Sequence, residues 1–403
     1  MTAVDRLFGD LVVLEAASVL AGPAVGMFFA ELGATVVKVE NLTTRGDTTR
    51  RWKLPSEPEG ADVSGYFSCV NWGKQSIGLN FALPEGRDVL LDLVRRSDIF
   101  LQSFKPGDER KFQLGYPALS ALNDRLIYAH ITAYGPDDDR TGFDAVLQAE
   151  TGFTGMNGVS GGGPVKMPVA LIDLLLAHQL KQALLLALME RLHTGKGSYT
   201  TVSLFQAGVA SLANQATNYL VGHTVPGREG SDHPNIVPYG TVFRTADGHD
   251  VVLAVGTDPQ FRALCEVLGI PEAADDERFR TNTARVAHRE PVKRLIAECI
   301  ARMRCARLLE ALRTRRVPAG AVRGMDEVFG QPPAQALLLD GTLENGVSIR
   351  GVRTVAFETS VADTRRPLAP PPAFNQHGEV VLREMLGYTD DRIAGLRQRG
   401  VIP

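Results

Sequence analysis

The chain has 403 residues, and its 43 Lys and Arg against 46 Asp and Glu leave a formal charge of −3. That balance supplies no strong field for nucleic acid or an anionic membrane, so partners must be recognised locally. With 44% hydrophobic and 22% charged residues, 40 Gly and 23 Pro, the composition excludes fibrous and disordered classes, and the length exceeds what one compact core usually holds.

In chain order, the pattern predicts an apolar strand over 11–15, a turn at AGPAVG, a helix over 27–32 closed by Gly33, and a β-branched strand over 35–39. Strands follow at 76–80, 99–102 and 126–132, separated by a helix opening at Pro84 and a short one over 116–122. Strands alternating with helices imply a parallel sheet covered on both faces, with ligands at the carboxyl ends of the strands. A long helix is predicted from Asp173 to His193, where Leu174, Leu175, His178, Leu180, Leu184, Leu185 and Leu188 keep a stripe and Gly195 stops it. A strand over 199–203 and a helix over 204–220 complete this part.

Past Val225 the texture changes. Two β-rich runs flank Asp247-Gly248, a hairpin signal, and charged helices fill 259–314, which predicts a smaller α+β domain. RRPLAPPPAF (365–374) is a stiff connector, after which 378–386 and 389–399 return to helix. The predicted division is 1–224, 225–325 and 326–403.

Cys69, Cys265, Cys299 and Cys305 are scattered without CxxC or a metal-type His spacing. Neither a disulfide framework nor a metal site is expected, and a reducing cytoplasm fits. The first ten residues lack a basic stretch followed by an apolar one, and the longest apolar run, around 183–189, falls far short of a membrane span. A soluble, cytoplasmic protein with no nucleic-acid or membrane partner is the expectation.

Gly158-Val159-Ser160-Gly161-Gly162 satisfies GxSxG, but glycine loop lies on both sides where a nucleophile elbow requires a strand entering and a helix leaving. The first βαβ turn, AASVLAGPAVG, lacks GxGxxG, so a dinucleotide pyrophosphate has no cradle, although Glu40 stands where a ribose-binding acid would. Asp173 opens the long helix. An Asp there is ordinarily a cap, yet backbone N–H groups and the helix dipole favour an ionised carboxylate facing the strand-end cleft, and such an anion can act as a nucleophile. His130, His178 and His233 are possible bases without metal spacing. Lys38, Lys74, Lys105, Arg45, Arg50, Arg51 and Arg110 lie near the ends of N-terminal elements, where cations suit phosphates or simply face solvent.

The ordered segments AGPAVGMFFAELGATVVKVE with GDTTR, NWGKQSIGLNFALPEGRDVLLDLVRRSD, SFKPG, QLGYPALSALNDRLIYAHITAYG, FDAVLQAETG, PVALIDLL, HTGKGSYTTVSLFQA, HPNIVPYGTVFRTADG and RRVPAGAV resemble the family III CoA-transferases along nearly the whole chain. The resemblance implies a large Rossmann-like CoA-binding domain, a smaller α+β domain, a C-terminal segment packing back on the large domain, and two chains interlocked as a homodimer. It places the nucleophile at Asp173, which would carry CoA as an aspartyl-CoA thioester between an acyl-CoA, with succinyl-CoA the donor of choice, and a small carboxylic or dicarboxylic acid. CoA is then a co-substrate; no tightly bound cofactor and no metal are implied.

By the same resemblance CoA should lie along Val19, Leu20, Asn41, Asn71, Trp72, Gly73, Lys74, Ser103, Phe104 and Leu114, with Thr132, Ala133 and Tyr134 near the thioester. Leu20, Asn41, Ser103 and Gln113 depart from the formyl-CoA transferase pattern, and so does HPNIVPYG, which lacks that enzyme's glycine run. Formyl transfer to oxalate is therefore not the leading expectation. Arg140 and Lys166 are candidates to hold a second carboxylate. The racemase branch of the superfamily moves an α-proton with a His where this chain has Phe143, a residue that cannot take a proton. An acyl-CoA isomerase and a catalytically silent acyl-CoA-binding protein remain the alternatives.

Overall fold

Strands β1 (Val12–Ala16), β2 (Thr35–Asn41), β3 (Gln75–Leu79), β4 (Ile99–Gln102), β5 (Ile127–Thr132) and β6 (Ser198–Ser203) form one sheet in the order β3-β2-β1-β4-β5-β6. Every adjacent pair is parallel. The chain works outward from β1 to β3, then crosses back to lay β4 on the other side of β1. The crevice at the carboxyl ends of β1 and β4 is thus the switch point where such sheets bind ligands. The computed structural model describes residues 8–58, 60–361 and 363–403. It comprises two units: one takes the residues up to 151, 167–216 and 336–403, the other 152–166 and 217–335.

The first helix is Ala21–Glu31, so AGPAVG lies inside it and does not form the predicted turn. Its glycines serve packing: a Cβ at Gly22 would collide with Ala17 Cβ, and one at Gly26 with Glu15 Oε2. Pro23 is tolerated because the first turn of a helix has no N–H partner to lose. The helix Leu171–Thr194 buries Ile172, Asp173, Leu176, Ala177, Leu180, Lys181 and Leu184 and packs against Ala21–Glu31 and Leu204–Ala210. Its length and apolarity alone would suit a membrane span, but this stripe is core, and the helix buries three ionisable groups, Asp173, Lys181 and Arg191. The predicted helix over 204–220 is two, Leu204–Ala210 and Ala213–Leu220, broken where Ala213 adopts φ 49°.

Between β1, β2 and β3 lies a buried charge network. Lys38 Nζ contacts Glu15 Oε1 at 3.0 Å and Asp47 Oδ2 at 3.1 Å, while Lys74 Nζ reaches Glu15 Oε2 at 2.7 Å and Asn71 Oδ1 at 2.9 Å. Arg50 Nη2 pairs with Glu40 Oε1 at 2.5 Å. Burial opposes the charge on Lys38, but Glu15, Asp47 and Glu40 together outweigh it and hold the ammonium above its ordinary range. In Lys74 burial prevails over Glu15 and brings the group down to about 8. Lys38, Lys74 and Arg50 are therefore internal counter-ions, where the sequence suggested phosphate ligands or solvated cations. Glu40 is likewise taken up by Arg50 and Ser76.

The last stretch of the chain closes the first unit. Asn80 N–H donates to the Val401 carbonyl, Gly78 N–H to Asn375 Oδ1, and Asn375 N–H to Ser76 Oγ. Val381, Leu382, Ile393, Leu396, Val401 and Ile402 share one core with Leu14, Val37, Ile77 and Phe100. Glu31 accepts the N–H groups of Thr354 and Val355 and the Thr354 hydroxyl. A hairpin of β10 (Leu338–Thr342) and β11 (Ser348–Val352), unanticipated from sequence, covers Trp72.

The second unit is built on antiparallel β7 (Tyr239–Arg244), β8 (Asp250–Ala254) and β9 (Ala319–Ala321), with Gly248 at φ 79° in the expected turn. Its helices supply a core around Phe261, Leu264, Val292, Ile296 and Leu308. The glycine loop 152–166, assigned from sequence to the 1–224 segment, groups here because Arg228 donates to the carbonyls of Gly162 and Gly155. Residues 158–162 form turns, with no strand running into them.

Candidate active site

A cavity of about 940 Å³ opens at the switch point. Its walls are the loop after β1 (Ser18, Val19, Leu20), the loop after β4 (Ser103, Phe104, Lys105), Thr132 and Ala133 at the end of β5, residues 135–143 beyond it, and Asp173. Asp173 is the third residue of its helix and only 7% exposed. Burial first, and the charge of Asp144 second, push its carboxyl up to about 7. The sequence suggested instead that the helix start would favour the anion. The difference lies first in burial and then in Asp144, which stands beside Asp173 at the helix start: Asp144 Oδ1 accepts the Ile172 N–H at 2.8 Å, and Gln148 Nε2 holds Asp144 Oδ2 at 2.8 Å. Gln148 also receives the Met167 N–H and donates to the Val169 carbonyl, fixing the segment that enters the helix.

Val19, Leu20, Ser103, Phe104, Thr132 and Ala133 all line the cavity with Asp173. Tyr134 lies beneath one of its lining cations, the Arg140 guanidinium, at 3.7 Å from the ring centroid. The other residues expected to follow CoA are not brought to the wall. Asn41 caps the turn 42–44 by accepting the Thr43 N–H. Asn71 and Lys74 bond to each other inside the network. Trp72 is fully buried with Met27 and Leu339, and Gly73, at φ 73°, donates its N–H to the Ala369 carbonyl. Leu114 is a core residue whose carbonyl receives the Tyr128 hydroxyl. Asn71, Trp72, Lys74 and Leu114 are buried, whereas Asn41 and Gly73 are partly exposed outside that wall.

Lys105 and Arg110 are on the cavity wall, as is His130, whose Nδ1 lies 2.9 Å from Tyr199 Oη and whose protonation burial disfavours. Phe143 lines the cavity as an exposed ring immediately before Asp144. Two relevant residues escaped the sequence reading. Asp144 was hidden because its partner, Ile172, is 28 positions away. Tyr66 packs edge-on to Trp52 at 5.0 Å, and burial and then the Asp173 charge raise its hydroxyl to about 12. Among the described residues no group of His, Cys, Asp and Glu has the arrangement of a metal site.

The description of CoA-transferase family III matches residues 8–378, and the chain belongs to that family: it is a CoA-transferase. It is 39% identical to the succinate–glutarate CoA-transferase of Agrobacterium fabrum over 93% of this chain and 94% of the relative. Against the human succinyl-CoA:glutarate CoA-transferase the identity is 33%, covering 97% and 88% respectively. A crystal structure of a CAIB/BAIF family protein from Brucella suis superimposes with a TM-score of 0.81 at 38% identity, over 95% of this chain and all of the other.

Proposed function

We propose that the chain transfers CoA from succinyl-CoA to a small dicarboxylic acid of the glutarate type, with Asp173 as the acylated carboxylate. The observation that carries this reading is a buried carboxylate on the wall of a cavity formed by the loops after β1, β4 and β5. The names of the two relatives supply the substrate class.

Asp173 attacks the thioester carbonyl carbon; the C–S bond breaks and leaves a mixed anhydride and the CoA thiolate. The thiolate attacks the Asp173 carbonyl carbon, the anhydride C–O bond breaks, and succinate departs from an aspartyl-CoA thioester. The acceptor carboxylate displaces the thiolate from Asp173, giving a second anhydride, and the thiolate then takes the acceptor acyl group and frees Asp173. Each step keeps an activated acyl bond, so the exclusion of water is essential. Burial of Asp173 serves this end and raises the basicity of the nucleophile.

Arg140, at the cavity wall, is the side chain proposed to meet the remote carboxylate. Phe143 in place of a proton-accepting His favours transfer over α-proton exchange. We propose a homodimer of interlocked chains in the cytoplasm, supported by the exposed Leu186, Met189 and Leu192 on the long helix; light scattering across a dilution series tests it.

The decisive experiment combines succinyl-CoA with glutarate, malate, mesaconate, itaconate, oxalate and carnitine, and traps the intermediate with hydroxylamine or borohydride. The expected result is transfer to dicarboxylates with label on Asp173, and its loss in Asp173→Ala. Wild-type transfer by Asp173→Ala would refute the mechanism, and turnover of monoacids alone would refute the substrate class.

A further inference from the structure

The GDTTR segment lies outside the cavity wall, yet its acid reaches the loop after β1 from beneath. Asp47 is buried, and its carboxylate accepts the Val19 N–H at 3.1 Å from Oδ2 while Oδ1 holds the Thr49 N–H and hydroxyl at 3.0 and 2.8 Å. Lys38, paired with Asp47 and Glu15, donates to the Ala17 carbonyl at 2.8 Å. One ion pair therefore grips the loop at both ends, by a carbonyl at residue 17 and an amide at residue 19. At the second of these points Val19 sits at φ 71°, a left-handed conformation that a β-branched residue adopts only when its surroundings impose it. Ser18 N–H reaches Ser103 Oγ at 3.3 Å and so ties this loop to the one after β4.

We infer that Asp47 and Lys38 are positioning residues that mould residues 17–19 into the shape that receives the CoA thioester. They touch no substrate; they act through the Val19 and Ala17 backbone. A buried ion pair costs desolvation and is weak evidence for stability alone. Here both members spend a hydrogen bond on the same short loop, as groups supporting a preorganised site do. The inference rests on the proposal that the switch-point cavity takes the CoA thioester.

The test measures succinyl-CoA KM and kcat, and CoA binding by calorimetry, in full-length wild type, Asp47→Asn, Asp47→Ala and Lys38→Met. Glu31→Ala, which loosens the same unit elsewhere, controls for lost stability. The expected result for Asp47→Ala is a KM for succinyl-CoA and a Kd for CoA raised on the order of tenfold with kcat within about threefold, since one charged hydrogen bond lost to the loop is worth roughly that factor. Asp47→Asn keeps an acceptor and should fall between, while Glu31→Ala keeps the wild-type KM. A folded Asp47→Ala with unchanged KM and Kd would overturn the inference alone; a wild type that binds no CoA would overturn it together with the coenzyme reading. Because removing a buried charge can prevent folding, amide exchange of the 17–22 peptide in the wild type gives a second answer. Slow exchange of the Val19 amide is expected, and exchange at the rate of an open loop would refute the tether.

Discussion

Asp144 Oδ1 receives the Ile172 N–H at 2.8 Å, so one carboxylate closes the first turn of the helix in which the next residue, Asp173, is another. Two like charges at a poorly hydrated helix start disfavour double ionisation, and the side chain without the cap bond is the one whose carboxyl is raised to about 7.

Activity should therefore follow a group titrating near neutrality. The rate of the donor half-reaction is expected to rise with pH through about 7 as Asp173 becomes an anion. Asp144→Asn retains an oxygen for the Ile172 N–H but removes the charge, and should move that midpoint to lower pH. A pH profile of kcat/KM for succinyl-CoA in both proteins is the measurement.

The same shift has a stability consequence. Asp173 is raised from 3.8 to about 7 on folding, so its contribution is fully present below about 4 and is lost as pH rises through about 7. Asp173→Asn is neutral throughout and should be more stable than wild type at pH 8, by about 2–4 kcal/mol, with little difference at pH 4. Urea unfolding at the two pH values checks the sign.

Arg140 is exposed at the cavity and already shared with Asp138 at 2.7 Å. Arg140→Gln should raise the KM for glutarate roughly tenfold, the loss of one charge-assisted hydrogen bond, and should raise the KM for succinyl-CoA as well, because the succinyl group too carries a free carboxylate. Steady-state kinetics with a monoacid acceptor as reference separates the two effects.

Gly26 faces Glu15 so closely that a Cβ would collide with Oε2, and Glu15 is held by both Lys38 and Lys74. Gly26→Ala should cost about 3 kcal/mol or more, as overpacking against a fixed buried charge does. Thermal unfolding, or failure to recover folded protein, reports it.

Glu31 collects three hydrogen bonds from Thr354 and Val355. Glu31→Ala leaves two backbone donors unpaired and is expected to cost about 1–3 kcal/mol. Proteolysis should then cut first in the 353–366 connector.

The sheet was legible because β1, β2, β4 and β5 are short apolar runs separated by helix signals, whereas Asp173 by itself reads as a helix cap and takes its proposed role from the family resemblance. AGPAVG misled, since glycines that permit close packing look the same as glycines that turn a chain. The β10–β11 hairpin was overlooked although Asn345-Gly346, with Gly346 at φ 80°, is its turn. The buried network could not be read locally: Glu15 and Lys38 are register partners on adjacent parallel strands, 23 positions apart. For the same reason the segment 71–74 resembled a ligand loop while its side chains were already committed inward.

The contacts of the final residues with β3 determine when the first unit can mature during synthesis. Asn80 waits for Val401, and the core beside Leu14 and Phe100 waits for Ile393, Leu396 and Ile402. A nascent chain whose residues 12–203 have left the ribosome holds every strand of the sheet but leaves apolar surface around β3 uncovered until residues 393–402 follow.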